Sequence, residues 1–285
     1  MKKVMVNMIE DFADINGIRL CYEVRGRGKP VFLVHGFGSK KESWMAQFNP
    51  LSKHFKVIRY DCRGSGKSER PNNPYSMDLF VEDLKGLMDF LKIKTAHFIG
   101  FSLGGTILQN FVLKYPEKVD KLILISSIAK ISEGGGPEAY IKSRLEDLEL
   151  LKKDPEAAFW NSTILGFYYQ FRKKMVDDPK RKFYGLWSAK DLLDYFITDP
   201  PTPQDIKNLA HALKTQNTFD KLHEIKHNTL ILAASHDRLV PKSVMLEIHE
   251  QIPNSLFKVI DKAGHEYLKS KAPIVNKIII DFLND

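Results

Sequence analysis

The sequence predicts an α/β chain with a doubly wound, largely parallel sheet and a helical insertion. Three observations carry this. Short apolar runs alternate with amphipathic helical patterns. One serine lies among glycines where such a run meets a helix, in Ile99-Gly100-Phe101-Ser102-Leu103-Gly104-Gly105-Thr106. A long stretch from about Ile128 to Asp205 has no strand pattern and many aromatics. With 285 residues, 43% hydrophobic and 27% charged, the chain can bury a large globular core.

The first elements read as a hairpin, Phe12 to Ile15 and Ile18 to Val24, turning at Asn16-Gly17. Six buried-strand candidates follow: Pro30 to Val34, Phe55 to Tyr60, Ala96 to Phe101, Lys121 to Ile125, Thr229 to Ala233 and Leu256 to Ile260. Ser76 is placed to cap a helix whose apolar face holds Leu79, Phe80, Leu84, Leu87, Met88 and Leu91. Met245, Ile248 and Ile252 mark another helix, and Ile274, Ile278, Ile279 and Phe282 a last one. Pro200-Pro201-Thr202-Pro203 reads as a boundary. The expected organisation is a core in two parts, 1–127 and 206–285, with a helical cap at 128–205 over the carboxyl edge of the sheet.

A formal charge of +8 invites a nucleic-acid reading. Its densest cluster, Arg172-Lys173-Lys174 and Lys180-Arg181-Lys182, flanks Asp177-Asp178 and reads as solvated surface, so no nucleic-acid partner is expected. No apolar run approaches the roughly 20 residues that span a bilayer, and Asn7, Glu10 and Asp11 break any leader-like segment. No membrane partner is expected. Cys21 and Cys62 read as reduced thiols of a cytoplasmic protein. Histidine spacing offers no metal set and no glycine loop cradles a phosphate, so neither metal nor cofactor is expected.

The Gly100-x-Ser102-x-Gly104 turn has the form of a nucleophile elbow, in which a sharp strand-to-helix reversal pushes the serine hydroxyl clear of the backbone. The bland alternative is a tight turn whose serine caps the helix. A serine nucleophile needs an imidazole base, and the imidazole needs an orienting carboxylate. Asp237 follows the strand Thr229 to Ala233, and His265 follows Leu256 to Ile260, in the order serine, acid, histidine. His236 competes as base but shares the acid's loop. Glu266 competes as acid but points away as the histidine's neighbour. Asp61 reads as pinning the loop Arg63-Gly64-Ser65-Gly66. The oxyanion donors expected are the amides of Leu103 and Phe37, the latter in His35-Gly36-Phe37-Gly38, where His35 reads as structural.

Taken together, His35 to Gly38, Asp61 to Ser68, Gly100 to Gly105, Asp237 and Gly264-His265 resemble the α/β-hydrolase superfamily in order and spacing. The likeness is to its carboxylesterase, enol-lactonase, carbon–carbon bond hydrolase and haloperoxidase-like branch. It implies an α/β-hydrolase fold with an eight-stranded mostly parallel sheet, helices on both faces and a helical cap. It further implies a serine hydrolase cleaving a carboxylic ester or lactone of a small, mainly apolar molecule through an acyl-enzyme on Ser102. Serine at the elbow disfavours the branches that dehalogenate or open epoxides, which use aspartate there. Carbon–carbon bond hydrolysis, perhydrolysis, acyl transfer to an acceptor other than water, and a small-molecule receptor on the same fold are the alternatives.

Overall fold

The computed structural model describes residues 9–131, 136–214 and 216–285. The amino-terminal stretch read above as carrying no leader lies largely outside the described residues, as do 132–135 of the expected cap. Eight strands form one sheet: β1 (Ile9–Ile15), β2 (Ile18–Arg25), β3 (Pro30–Val34), β4 (Lys56–Tyr60), β5 (Ala96–Phe101), β6 (Val119–Ile125), β7 (Asn228–Ala234) and β8 (Ser255–Ile260). Their order is β1-β2-β4-β3-β5-β6-β7-β8. The pairings of β2 with β1 and with β4 are antiparallel, and those from β4 through β8 are parallel. This is the α/β-hydrolase sheet that the motifs imply.

Helices α1 (Phe48–Leu51), α2 (Met77–Phe90) and α3 (Leu103–Lys114) intervene between β3 and β6. Between β6 and β7 come α4 (Gly136–Lys153), α5 (Pro155–Gly166), α6 (Tyr169–Asp177), α7 (Ala189–Ile197) and α8 (Pro203–Lys214). The chain ends through α9 (Lys242–Gln251), α10 (Tyr267–Ser270) and α11 (Ala272–Asn284). Among the described residues of 128–205 no strand joins the sheet, and α8 runs across residue 205. The sheet separates two apolar cores. Residues of α2, α3 and α9 fill one face with Phe32, Phe98 and Leu122, and α1 and α11 cover the other over Val31, Ile99 and Ile123. Ser76 caps α2, its hydroxyl accepting from the Leu79 amide at 3.3 Å.

Two expectations fail locally. Ile274 is 54% exposed, and Val275, Ile279, Phe282 and Leu283 form the inner face of α11. One residue rotates a helix by about 100°, so the stripe belongs to Val275 and its partners four and seven further on. Strand β8 is not buried on both sides: Leu256 and Val259, which point to opposite faces, are exposed, because β8 is the sheet's edge and neither face is fully covered. Hydropathy alone does not separate an edge strand from a central one.

The helical segment holds itself together by stacked rings. Phe171 and Phe183 lie 4.7 Å apart, and Phe183 and Trp187 5.0 Å, with Phe159, Phe167, Met175 and Leu192 packed around them. It is tied to the core through Tyr184 Oη, which donates to the Ser270 carbonyl at 2.7 Å, and Trp187 Nε1, which donates to that of Lys269 at 3.3 Å.

Candidate active site

Ser102 stands between β5 and α3 with φ +53° and ψ −119°, backbone that a residue with a side chain rarely adopts. The turn is held from both directions. The Ser102 amide donates to the Ile125 carbonyl at 2.8 Å, and the Ser102 carbonyl accepts from the Gly105 amide at 2.9 Å. The reversal leaves no room for side chains. A Cβ at Gly100 would lie 2.5 Å from the Gly104 carbonyl oxygen, and one at Gly104 2.7 Å from that of His35. Gly105 is equally tight, 2.6 Å from the Ser127 Cβ, although the motif alone does not single it out. The Ser102 hydroxyl makes no cap bond to α3, which removes the capping alternative.

Asp237 and His265 meet across the ends of β7 and β8. His265 Nδ1 donates to Asp237 Oδ2 at 2.7 Å, and the other carboxylate oxygen accepts from the Leu239 and Val240 amides, each at 2.9 Å. Burial pushes the Asp237 carboxyl up, but the charge and hydrogen bond of His265 and the Val240 amide outweigh it and hold Asp237 below its usual range. Burial opposes a charge on His265, and the Asp237 carboxylate reverses that, raising the imidazole above its ordinary value. With Nδ1 carrying the proton toward an ionised acid, Nε2 is left as an acceptor.

His265 and Ser102 line one cavity of about 400 Å³, together with Phe37 and Leu103. No hydrogen bond joins Ser102 to His265 among the described residues. Neither the Phe37 nor the Leu103 amide donates to a protein acceptor there, so both remain available to a ligand oxygen. The Leu103 amide also lies at the amino terminus of α3, where the helix dipole favours negative charge. The remaining lining is mostly apolar, with Ile128, Ile131, Tyr140, Leu213 and Val244, while Lys130 and Arg238 bring charge.

The competitors fall elsewhere. His236 is exposed, bonded through Nδ1 to Ser235 Oγ at 2.7 Å and packed at a tilt against the Tyr168 ring. Glu266 pairs with Lys269 rather than with His265. His35 is buried and structural: its Nε2 accepts from the Cys62 amide at 3.0 Å and its Nδ1 donates to the Gly36 carbonyl at 2.9 Å. Asp61 accepts from the Lys41 amide at 2.6 Å and the Lys67 amide at 3.0 Å, joining the loops after β3 and β4. Glu10, Glu23 and Glu42 cluster with carboxylate oxygens within 4.8 Å of one another, but the buried Lys41 ammonium occupies their midst, 3.1 Å from Glu10 and 2.8 Å from Glu42.

One reading of the basic cluster needs correction. Lys173 is exposed and pairs with Asp177, as solvated charge does, and none of the cluster lines the cavities beside Ser102. Arg172, however, turns inward, its Nε donating to Thr163 Oγ1 at 2.9 Å. Helix α6 presents Arg172 and Met175 to α5 on one side and Lys173 and Lys174 to solvent on the other.

A second cavity of about 350 Å³ adjoins the first, sharing Phe37, Tyr140, Leu239 and His265 with it. It is walled by the helical segment and is more polar, with Arg144, Asp147, Asn161, Glu266 and Lys269 on its surface. The sequence reading missed these residues. Arg144 and Asp147 sit three apart on α4, a spacing indistinguishable from ordinary surface pairing.

Residues 29–272 match the sequence pattern of the alpha/beta hydrolase fold family. The chain belongs to that family. Among family members it is 28% identical, over 98% of its length and 94% of the relative's, to a 2-hydroxy-6-oxononadienedioate/2-hydroxy-6-oxononatrienedioate hydrolase of Paraburkholderia phymatum. The fold superposes on the enol-lactonase of Burkholderia xenovorans with a TM-score of 0.80 and 25% identity, covering 96% of this chain and all of that one (100%). It superposes on a bromoperoxidase of Bacillus anthracis with a TM-score of 0.81 and 26% identity, over 97% and 100% of the two chains. Hydrolase family members of this kind act on small molecules. Among the described residues no helix is long and apolar enough to cross a membrane.

Proposed function

We propose that the protein is a serine hydrolase that cleaves a carboxylic ester or lactone of a small molecule, with Ser102 as nucleophile, His265 as base and Asp237 as its orienting acid. The observation that carries this is the 2.7 Å bond from His265 Nδ1 to Asp237, in a histidine that shares a cavity with a strained serine. His265 Nε2 takes the hydroxyl proton as Ser102 Oγ attacks the carbonyl carbon, and Asp237 stabilises the imidazolium that forms. Negative charge on the carbonyl oxygen is met by the amides of Leu103 and Phe37. The proton passes from His265 to the leaving alkoxide, and water then releases the acyl group by the same relay.

The helical segment 128–205 acts as the cap that closes the site, and the part of the substrate next to the scissile bond is apolar. The chemistry requires neither metal nor cofactor. Both cysteines are free and buried, which supports a reducing, cytoplasmic setting. Hydrolysis of a carbon–carbon bond beside a ketone is the second reading, favoured by the name of the Paraburkholderia relative. Turnover of simple esters against vinylogous diketones separates the two, and turnover of neither would favour a receptor.

An organophosphonate tests the shared step. It should label Ser102 stoichiometrically at neutral pH, and His265→Ala should abolish labelling in a protein that still folds. A label mapped elsewhere, or one undiminished in the variant, would remove the mechanism.

A further inference from the structure

The two cavities differ in chemistry and share Phe37, Tyr140, Leu239 and His265 in their linings, which sets the second directly beside the cavity of Ser102. We infer that the second cavity receives a carboxylate at the far end of the substrate, held by Arg144, with Lys269 in the same lining. This rests on the reading of Ser102 as nucleophile.

The argument is one of unspent donors. Arg144 Nη1 donates to Asp147 Oδ2 at 3.0 Å, and Asn161 Nδ2 holds the other oxygen of Asp147 at 3.1 Å. Asp147 thus has a donor on each oxygen and fixes the guanidinium from one end. The opposite edge, Nε and Nη2, has no protein partner among the described residues, and Nε is buried. An unpartnered buried donor is costly, and this edge presents two parallel N–H groups that match a carboxylate. The same protein shows the satisfied case: Arg63 turns its Nε and Nη2 to the two oxygens of Asp83, at 2.6 Å each.

Lys269 adds a second set of donors. Its side chain is 4% exposed, and its ammonium spends one of its three N–H groups on Glu266. The hydroxyls nearby are already committed. Ser162 donates to the Phe159 carbonyl at 2.7 Å and Thr163 to that of Trp160 at 2.6 Å. Arg144 and Lys269 thus leave N–H donors without a protein partner in the lining of this cavity. Asp147 and Glu266 balance the charges of Arg144 and Lys269, so the compartment selects a carboxylate at contact distance rather than drawing anions from afar.

The test compares half-esters of glutarate, adipate and suberate with the same esters ending in a neutral carboxamide. At the chain length that fits, kcat/KM should favour the carboxylate roughly ten- to hundred-fold, mainly through KM. Arg144→Gln should reduce that ratio to within about three-fold, and Lys269→Met should reduce it in part. A ratio near one at every length, or a preference that survives both substitutions, overturns the assignment. Calorimetric titration with the free diacids reads the subsite without turnover. Binding that weakens about ten-fold or more in Arg144→Gln supports it even should Ser102 prove unreactive toward phosphonate, and absent or unaltered binding overturns it.

Discussion

At the carboxyl ends of β5, β7 and β8, backbone amides and glycines hold the candidate triad, whereas the helical segment between β6 and β7 is held by side chains. Ser102 owes its conformation to a bond with Ile125 and to three glycines that exclude any Cβ. Asp237 is gripped by two amides of its own loop. In the helical segment, rings pack on rings and Arg172 bridges α6 to α5. Backbone-held positions tolerate no added volume and yield precise geometry. Side-chain-held positions can be repacked at smaller cost.

The largest effect that would sharpen this contrast is catalytic. Asp237→Asn should keep the fold and lose about three to four orders of magnitude in turnover, because the amide stabilises the wrong imidazole tautomer. Glu266→Gln, the adjoining acid that pairs with Lys269, should change turnover by less than about ten-fold. Steady-state rates decide it, and exchanged results would move the acid to Glu266.

Next comes stability. Gly104→Ala drives a methyl group into the backbone of Val34 and His35 and should cost more than about 3 kcal/mol in chemical denaturation, or prevent folding. Phe171→Leu, among the packed rings, should cost less than about 2 kcal/mol, since Phe171 is itself only half-buried. Equal losses would break the distinction between the regions.

A last effect is a pH dependence at the far end of β5. His97 is fully buried with both ring nitrogens unpartnered, and burial lowers its pKa from 6.5 to about 4 against the pull of Asp120. Between these values the unfolded chain binds a proton that the folded chain refuses, so stability should fall as pH drops from about 6.5 toward 4. His97→Leu should flatten that slope in urea titrations at stepped pH. A slope unchanged in the variant would locate the acid sensitivity elsewhere.

The strand ends were legible because their signals are local. A glycine spacing, a strand followed by an acid and a strand followed by Gly-His each describe a few consecutive residues, and the fold brings them together. The hairpin at Asn16-Gly17 was readable for the same reason, both residues adopting positive φ. What escaped depends on neighbours distant in sequence. The outward turn of Ile274, the exposure of Leu256 and the inward turn of Arg172 follow from which surface each element meets. Arg144 and Lys269 are 125 positions apart by their numbers and meet only across a cavity.

One contact joins the two regions more tightly than any ring stack. The Glu266 amide donates to the Gly166 carbonyl at 2.7 Å, and a Cβ at Gly264 would stand 2.8 Å from that same carbonyl oxygen. On the acid's side, Arg238 reaches the Ile164 carbonyl and the His236 ring packs against Tyr168. The corner between α5 and α6 is thus wedged against the loops that carry Asp237 and His265. On heating, the helical segment cannot melt ahead of the sheet without releasing both loops, so calorimetry should record one endotherm and the loss of activity should track its leading edge.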